Sequence, residues 1–243
     1  MSLVPSGFKL LVNASNALVA RPAVLLSLLL IAACALVPII WSQPLRNTYL
    51  LTLHRYVAKL TPPRFVFAGD SLTANANWGW AMTRNPLSAA NLADEGARVA
   101  EVAGQVSKTK AYHANILFVT AGTNDIVVDN RAVQQLACDF QLLLRRVPGE
   151  MHLIMTLIPY TSFREHTVKI QEANLMLERF SKTWHFDIVD INPELSADGV
   201  LKSEYTFDGL HFNDRAYEIW TDKLMRVAGL SARSVSREER GLR

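Results

Sequence analysis

Four short stretches of the chain hold residues whose types could do chemistry together. "FAGDSLTA" sets Ser71 directly after an apolar run, and "NLADEGA" contains Gly96. "AGTND" contains Asn124, and "DGLHFND" holds Asp208 and His211 three residues apart. A serine hydroxyl is a weak nucleophile at neutral pH. It needs a base within hydrogen-bond reach, and that base needs an orienting partner. His211 can serve as base, and Asp208 can hold its second ring nitrogen and stabilise the imidazolium. Acyl transfer also needs donors aimed at the developing oxyanion. The N–H groups of Ser71 and Gly96 and the side-chain amide of Asn124 can supply them. Taken singly, each motif reads as a turn: Gly69-Asp70-Ser71, Asn124 and Asp208-Gly209 are all common turn sequences. All four stretches fall at element ends, in an order that builds one site. That conjunction favours a catalytic constellation.

The elements that must hold these residues alternate in type. "RFVFAG" (64–69), "ANILFVTAG" (114–122), "MHLIMTLIP" (151–159) and "FDIVDI" (186–191) are continuous apolar runs, with "LSAANLA" (87–93) a weaker fifth. Continuous rather than alternating hydrophobicity predicts parallel strands buried on both faces. Between them lie amphipathic stretches after Gly96, after Asn130, over 164–184 and from Asn213, the last a plausible N-cap. Strand-helix alternation predicts an α/β class protein, a three-layer α/β/α sandwich with right-handed crossovers. Ligands in such folds bind beyond the carboxyl ends of the strands. Trp78, Trp80 and Met82 follow Ser71. They either line an acyl or sugar site or pack the first helix onto the sheet.

Half of the 243 residues are hydrophobic and 19% are charged, enough for one well-buried domain with residues to spare. The net charge of +3 is mild. No basic face interleaved with aromatics appears, so nucleic acid is not an expected partner. The two cysteines, Cys34 and Cys138, support no disulfide framework. Cys138 is expected as a small buried thiol on a helix whose apolar positions include Leu136, Phe140 and Leu144.

Residues 22–42 form an uncharged apolar run close to the ~20 residues that span a bilayer. A membrane anchor, a cleaved signal peptide and a lipoprotein signal ending at Cys34 all compete, with a buried helix of a soluble protein behind them. Length favours the anchor, since signal cores run only about 7–15 residues. The expected organisation is an N-terminal segment over 1–21, a single-pass transmembrane anchor (or signal) over 22–42, and a connector over 43–63. A catalytic domain over 64–230 and a disordered basic tail over 231–243 complete it. Flanking charges do not decide orientation; a short N-terminal segment before one apolar helix favours an extracytoplasmic domain.

On "FAGDSLTA", "NLADEGA", "AGTND" and "DGLHFN", the chain resembles the SGNH, or GDSL-type, hydrolase family over about residues 63–230. The second block is the loosest match, because Glu95 directly precedes Gly96. The resemblance implies a flavodoxin-like parallel sheet of about five strands. It implies Ser71 as nucleophile with Asp208 and His211, and Ser71, Gly96 and Asn124 as the oxyanion hole, with neither metal nor organic cofactor. The expected substrate is an acyl ester, short-chain or O-acetyl, on a cell-envelope glycan. A lysophospholipid or thioester-type lipid substrate is the near alternative, and a non-catalytic envelope scaffold the distant one. Oligomeric state is left open.

Overall fold

In the computed structural model, the described residues are Thr52 and 55–230, and a division of the chain falls between Leu53 and His54. The N-terminal segment, the anchor run 22–42, most of the connector and the tail 231–243 lie outside the described residues. Among the described residues, no helix is long and apolar enough to cross a membrane.

Strand β1 (Phe65–Gly69) is buried along its whole length. It pairs in parallel with β2 (Ala89–Asn91) on one side and β3 (Ile116–Thr120) on the other. β4 (His152–Thr156) and β5 (Asp187–Val189) extend the sheet in the order β2-β1-β3-β4-β5. All five strands are parallel, and each lies within the stretch expected to contain it, trimmed at the ends. A second, two-stranded antiparallel ribbon (β6, Ser196–Ala197; β7, Val200–Leu201) follows the sheet.

Side chains alternate along each strand, and the register aligns like with like. Val66 and Ala68 of β1, Leu117 and Val119 of β3, and Leu153 and Met155 of β4 face one layer. That layer is built by α3 (Val99–Val106), α5 (Val133–Leu144) and α6 (Thr167–Trp184). Phe65, Phe67, Phe118 and Ile154 face the other. There they meet α1 (Ser71–Ala74), α2 (Trp78–Thr83) and α7 (Asp214–Val227). The three-layer architecture expected from the alternation is therefore present.

The second core is aromatic. Phe67 stacks on Trp78 with ring centroids 4.6 Å apart and planes 5° off parallel, and on Phe118 at 4.6 Å; Trp220 meets Trp78 edge-on at 4.9 Å. Such contacts add about 0.5–1.5 kcal/mol per pair to simple area burial. Trp78 and Met82 thus pack α2 onto the sheet, while Trp80 on the opposite face is half exposed.

At the end of helix α3 side-chain hydroxyls take backbone carbonyls. Ser107 Oγ donates to Gly104 O (2.7 Å) and Thr109 Oγ1 to Val106 O (2.8 Å). Cys138 is exposed, contrary to expectation. It sits two positions from both Leu136 and Phe140, roughly 200° around the helix from each of these buried residues.

Residues 55–60 are helical and cover the outer edge of β2. Arg55 donates from Nε to Asn91 O (2.9 Å) and from Nη2 to Ala93 O (2.7 Å), and pairs with Asp94 (2.9 Å). The strand order reverses between β1 and β3, which opens a crevice at their carboxyl ends. Ser71 follows β1 and Asn124 follows β3, so the fold brings both to that crevice.

Candidate active site

Ser71 is the first residue of a four-residue helix, too short to be stable by itself. Neighbouring layers hold it. At its start, Asp70 Oδ1 accepts from the Leu72 N–H (3.1 Å). At its end, Tyr217 Oη donates to Leu72 O (2.8 Å), and Trp78 Nε1 (2.8 Å) and Asn91 Nδ2 (2.9 Å) donate to Thr73 O. These side chains satisfy carbonyls that a longer helix would pair internally. Gly69 lets the chain turn here: a Cβ on it would lie 2.4 Å from Thr73 Oγ1 and 2.7 Å from Thr120 O.

His211 reaches Ser71 from a loop closed by the bridge between Thr206 and Phe212. Phe212 anchors the loop by burying its ring against Tyr217 and Trp220. Thr206 Oγ1 both donates to His211 O (2.7 Å) and accepts from the Gly209 N–H (2.9 Å). Within this frame His211 Nε2 lies 3.0 Å from Ser71 Oγ, and His211 Nδ1 lies 2.7 Å from Asp208 Oδ2. The other Asp208 oxygen accepts from the backbone N–H groups of Leu210 (2.9 Å) and His211 (2.7 Å). One carboxylate thus orients the ring and shapes the loop that carries it. Desolvation alone would raise the Asp208 carboxyl. The hydrogen bonds from the His211 ring and the two N–H groups outweigh it and hold the carboxyl at about 2.

Asn124 opens the helix after β3 (α4, Thr123–Val127) and is buried. One N–H of its amide donates to Ala97 O (3.1 Å), which leaves the second N–H of the same group available. Its neighbour Asp125 is fully buried. It accepts from the Val99 N–H (2.9 Å) and pairs with Arg131 (2.7 Å), so the loops after β2 and β3 are locked together. Gly96 adopts a left-handed conformation (φ +73°) one residue before Ala97. The N–H groups of Ser71 and Gly96 carry no hydrogen bond within the described residues. The geometry joins Ser71, His211 and Asp208 in one hydrogen-bonded line, and joins the Asn124 side chain to the residue after Gly96.

Asp70 was not singled out by its sequence context, yet it is fully buried beside the serine. Burial pushes its carboxyl up to about 7, opposed by the Leu72 N–H and by His211. Its Oδ2, like the buried hydroxyls of Thr73 and Thr123, has no hydrogen bond within the described residues. Asn91, a lone polar residue in an apolar strand, is the signal in the sequence that could have marked one of the helix supports.

The model of the GDSL-like Lipase/Acylhydrolase family matches residues 67–219, a span that includes Ser71, Gly96, Asn124, Asp208 and His211. An N-acylneuraminate cytidylyltransferase of Streptococcus agalactiae serotype V is 33% identical over 105 residues, 42% of this chain and 25% of that protein. The chain thus spans about a quarter of the length of the curated relatives it matches. Among solved structures, a GDSL-like lipase from Bacteroides thetaiotaomicron superposes with TM-score 0.59 at 16% identity, covering 79% of this chain and 98% of that one. A carbohydrate esterase family 3 protein from Talaromyces cellulolyticus gives 0.54 at 15% identity, covering 70% and 100%. At these identities the superpositions show a shared fold. The match of the family model over more than half of the chain goes further: this protein belongs to the GDSL-like lipase/acylhydrolase family.

Proposed function

We propose that the protein is a serine esterase for short acyl groups, foremost O-acetyl esters of glycans, working through an acyl-enzyme. Ser71 Oγ attacks the ester carbonyl carbon while His211 Nε2 takes the hydroxyl proton. Asp208 holds the imidazolium that forms. The N–H groups of Ser71 and Gly96 and the free N–H of Asn124 receive the oxyanion. Collapse of the tetrahedral intermediate breaks the bond to the alcohol oxygen, which leaves with the proton from His211. Water then repeats the sequence on the acyl-enzyme, releasing the acid and restoring Ser71. The observation that carries this reading is the continuous line from Ser71 Oγ to His211 Nε2 (3.0 Å) and from His211 Nδ1 to Asp208 (2.7 Å).

Two facts support a hydrophilic alcohol. The side chains of Asp208 and His211 are 53% and 35% exposed, so a bulky polar group can sit at the mouth of the site. The relatives also include a protein named for an acylated sugar acid and one described as a carbohydrate esterase. A lipid ester is the second reading, favoured by Phe207, which is 78% exposed directly before Asp208. Rates across p-nitrophenyl esters of rising chain length, set beside acetylated sugars, separate the two. A maximum at acetyl with release of acetate from the sugars supports the first, and a maximum at long chains rejects it.

We further propose that residues 22–42 anchor the chain in a membrane with the catalytic domain extracytoplasmic, on the strength of their length and apolarity. Protease added to intact spheroplasts should degrade the domain; full protection rejects that orientation.

A further inference from the structure

The loop after β2 carries Gly96 in a left-handed conformation, outside any strand or helix. The Asp94 N–H ties this loop to Gly69 O (3.1 Å), and Asn124 and Asp125 reach across to Ala97 and Val99. A further side chain, Arg98, also joins the two loops. Arg98 donates from Nη1 to the carbonyl of Gly96 (2.7 Å), while its Nε and Nη2 form a two-pronged pair with the Asp129 carboxylate (2.9 and 2.8 Å). The Asp129 backbone N–H in turn donates to the carbonyl of Asn124 (3.1 Å). The Asn124 side chain returns to Ala97 O (3.1 Å), the residue beside Gly96. The contacts close a ring: Gly96, Arg98, Asp129, Asn124, Ala97, and back to Gly96. The remaining N–H of Asn124 and the N–H of Gly96 stand on opposite arms of this ring.

We propose that Arg98 is a positioning residue for ester hydrolysis, clamping the Gly96 peptide against Asn124 so that the two oxyanion donors keep their separation. The inference rests on the reading of Gly96 and Asn124 as oxyanion donors. The planar guanidinium suits this task, because it holds a carboxylate with two prongs and still has a donor for a carbonyl. A lysine ammonium carries the charge but not the fixed fork. The ion pair holds the Asp129 carboxyl below the usual carboxylate range, chiefly through the Arg98 hydrogen bonds, so the fork persists across the neutral range. Both side chains are about one-third exposed. An ion pair so exposed contributes little to stability, so an ordinary surface pair and a clamp predict different things for turnover.

The test compares Arg98→Ala, Arg98→Lys, Asp129→Asn and the Arg98→Ala/Asp129→Asn double variant, in the full chain, with p-nitrophenyl acetate. A displaced donor should cost less than the ~10²–10³-fold of deleting one. The expected result is a loss of about 10- to 100-fold in kcat for Arg98→Ala and Asp129→Asn, with KM within about twofold of wild type. Arg98→Lys should recover only part of the loss, and the double variant should be no worse than Arg98→Ala, since both remove one device. Unfolding midpoints should stay at the wild-type value. The proposal is overturned if Arg98→Ala keeps wild-type kcat, if the two single losses multiply in the double variant, or if kcat falls only in step with the unfolding midpoint. A wild-type protein whose hydrolysis does not depend on Ser71 would instead remove the functional reading beneath it, a result visible before any Arg98 variant is made.

Discussion

The side-chain amide of Gln105 holds Gly69 at both ends of its backbone. Gly69 N–H donates to Gln105 Oε1 (2.8 Å), and Gln105 Nε2 donates to Gly69 O (3.0 Å). The pairing between β1 and β2 stops at Phe67 and Asn91, two residues short of Gly69. Beyond that pair the Asp94 N–H donates to Gly69 O (3.1 Å), and Gln105, buried on α3, adds the partner for the Gly69 N–H, at the position that turns the chain toward Ser71.

Replacing Gln105 with leucine should therefore orphan the buried Gly69 N–H, while Gly69 O keeps the Asp94 N–H (3.1 Å). The expected loss of stability is about 1–3 kcal/mol for that group, read by urea denaturation. Ester hydrolysis should fall as well, because Gly69 sets the entry to α1. A loss below about 0.5 kcal/mol, the range of inert surface changes, would show that Gly69 is held by other means.

Asp70 gives a pH signature. Its folded carboxyl is raised by burial from 3.8 to about 7. A raised carboxyl binds its proton more tightly in the folded state than in the unfolded one, so the folded state is favoured at low pH. That advantage is complete below about 4 and is lost as pH rises through about 7. Asp70→Asn keeps an acceptor for the Leu72 N–H and cannot ionise. The gap in unfolding free energy between the variant and wild type should widen by a few kcal/mol from about pH 4 to about pH 7 and stay level above that. A gap independent of pH would contradict the buried, protonated carboxyl.

Asp208 should behave in the opposite sense. Its carboxyl is held at about 2 by the His211 ring and the N–H groups of His211 and Leu210, against a desolvation that acts the other way. Its stabilising contribution is present above about 4 and lost as pH falls toward about 2. Asp208 therefore remains ionised through the working range. Asp208→Ala should lower kcat by about 10²–10⁴-fold at neutral pH, with the chain still folded by circular dichroism. Turnover within twofold of wild type would remove Asp208 from the relay.

The two tryptophans of α2 make a contrasting pair. Trp78→Ala empties the stack between Phe67 and Trp220 and should cost about 3–5 kcal/mol. Trp80→Ala, on the half-exposed face, should cost within about 0.5 kcal/mol. Equal losses from thermal or urea unfolding would contradict the division of the helix into core and solvent faces.

What could be read before the structure was the part written in periodicity or residue type. The strands appear as unbroken apolar runs, because a parallel sheet covered on both faces tolerates little else. Ser71, Asn124, Asp208 and His211 are conspicuous because few side chains do acyl chemistry and all four follow element ends. The supports were hidden. Gln105 and Asn91 look like ordinary polar residues, and their partners Gly69 and Thr73 are fixed only by tertiary packing. Arg98 and Asp129 are 31 positions apart, and no local pattern pairs them. Cys138 shares its helix with Leu136 and Phe140, but only their side of it is buried, and Cys138 faces away.

A single comparison decides whether Ser71 is the nucleophile of ester hydrolysis. Wild type and Ser71→Ala are treated with a fluorophosphonate probe, digested and mapped by mass spectrometry, alongside p-nitrophenyl acetate turnover. Wild type should carry a single adduct, on the peptide containing Ser71. The variant should carry none, together with a fall in kcat of at least ~10³-fold. Equal turnover in the two proteins, or an adduct on another residue, would contradict that assignment.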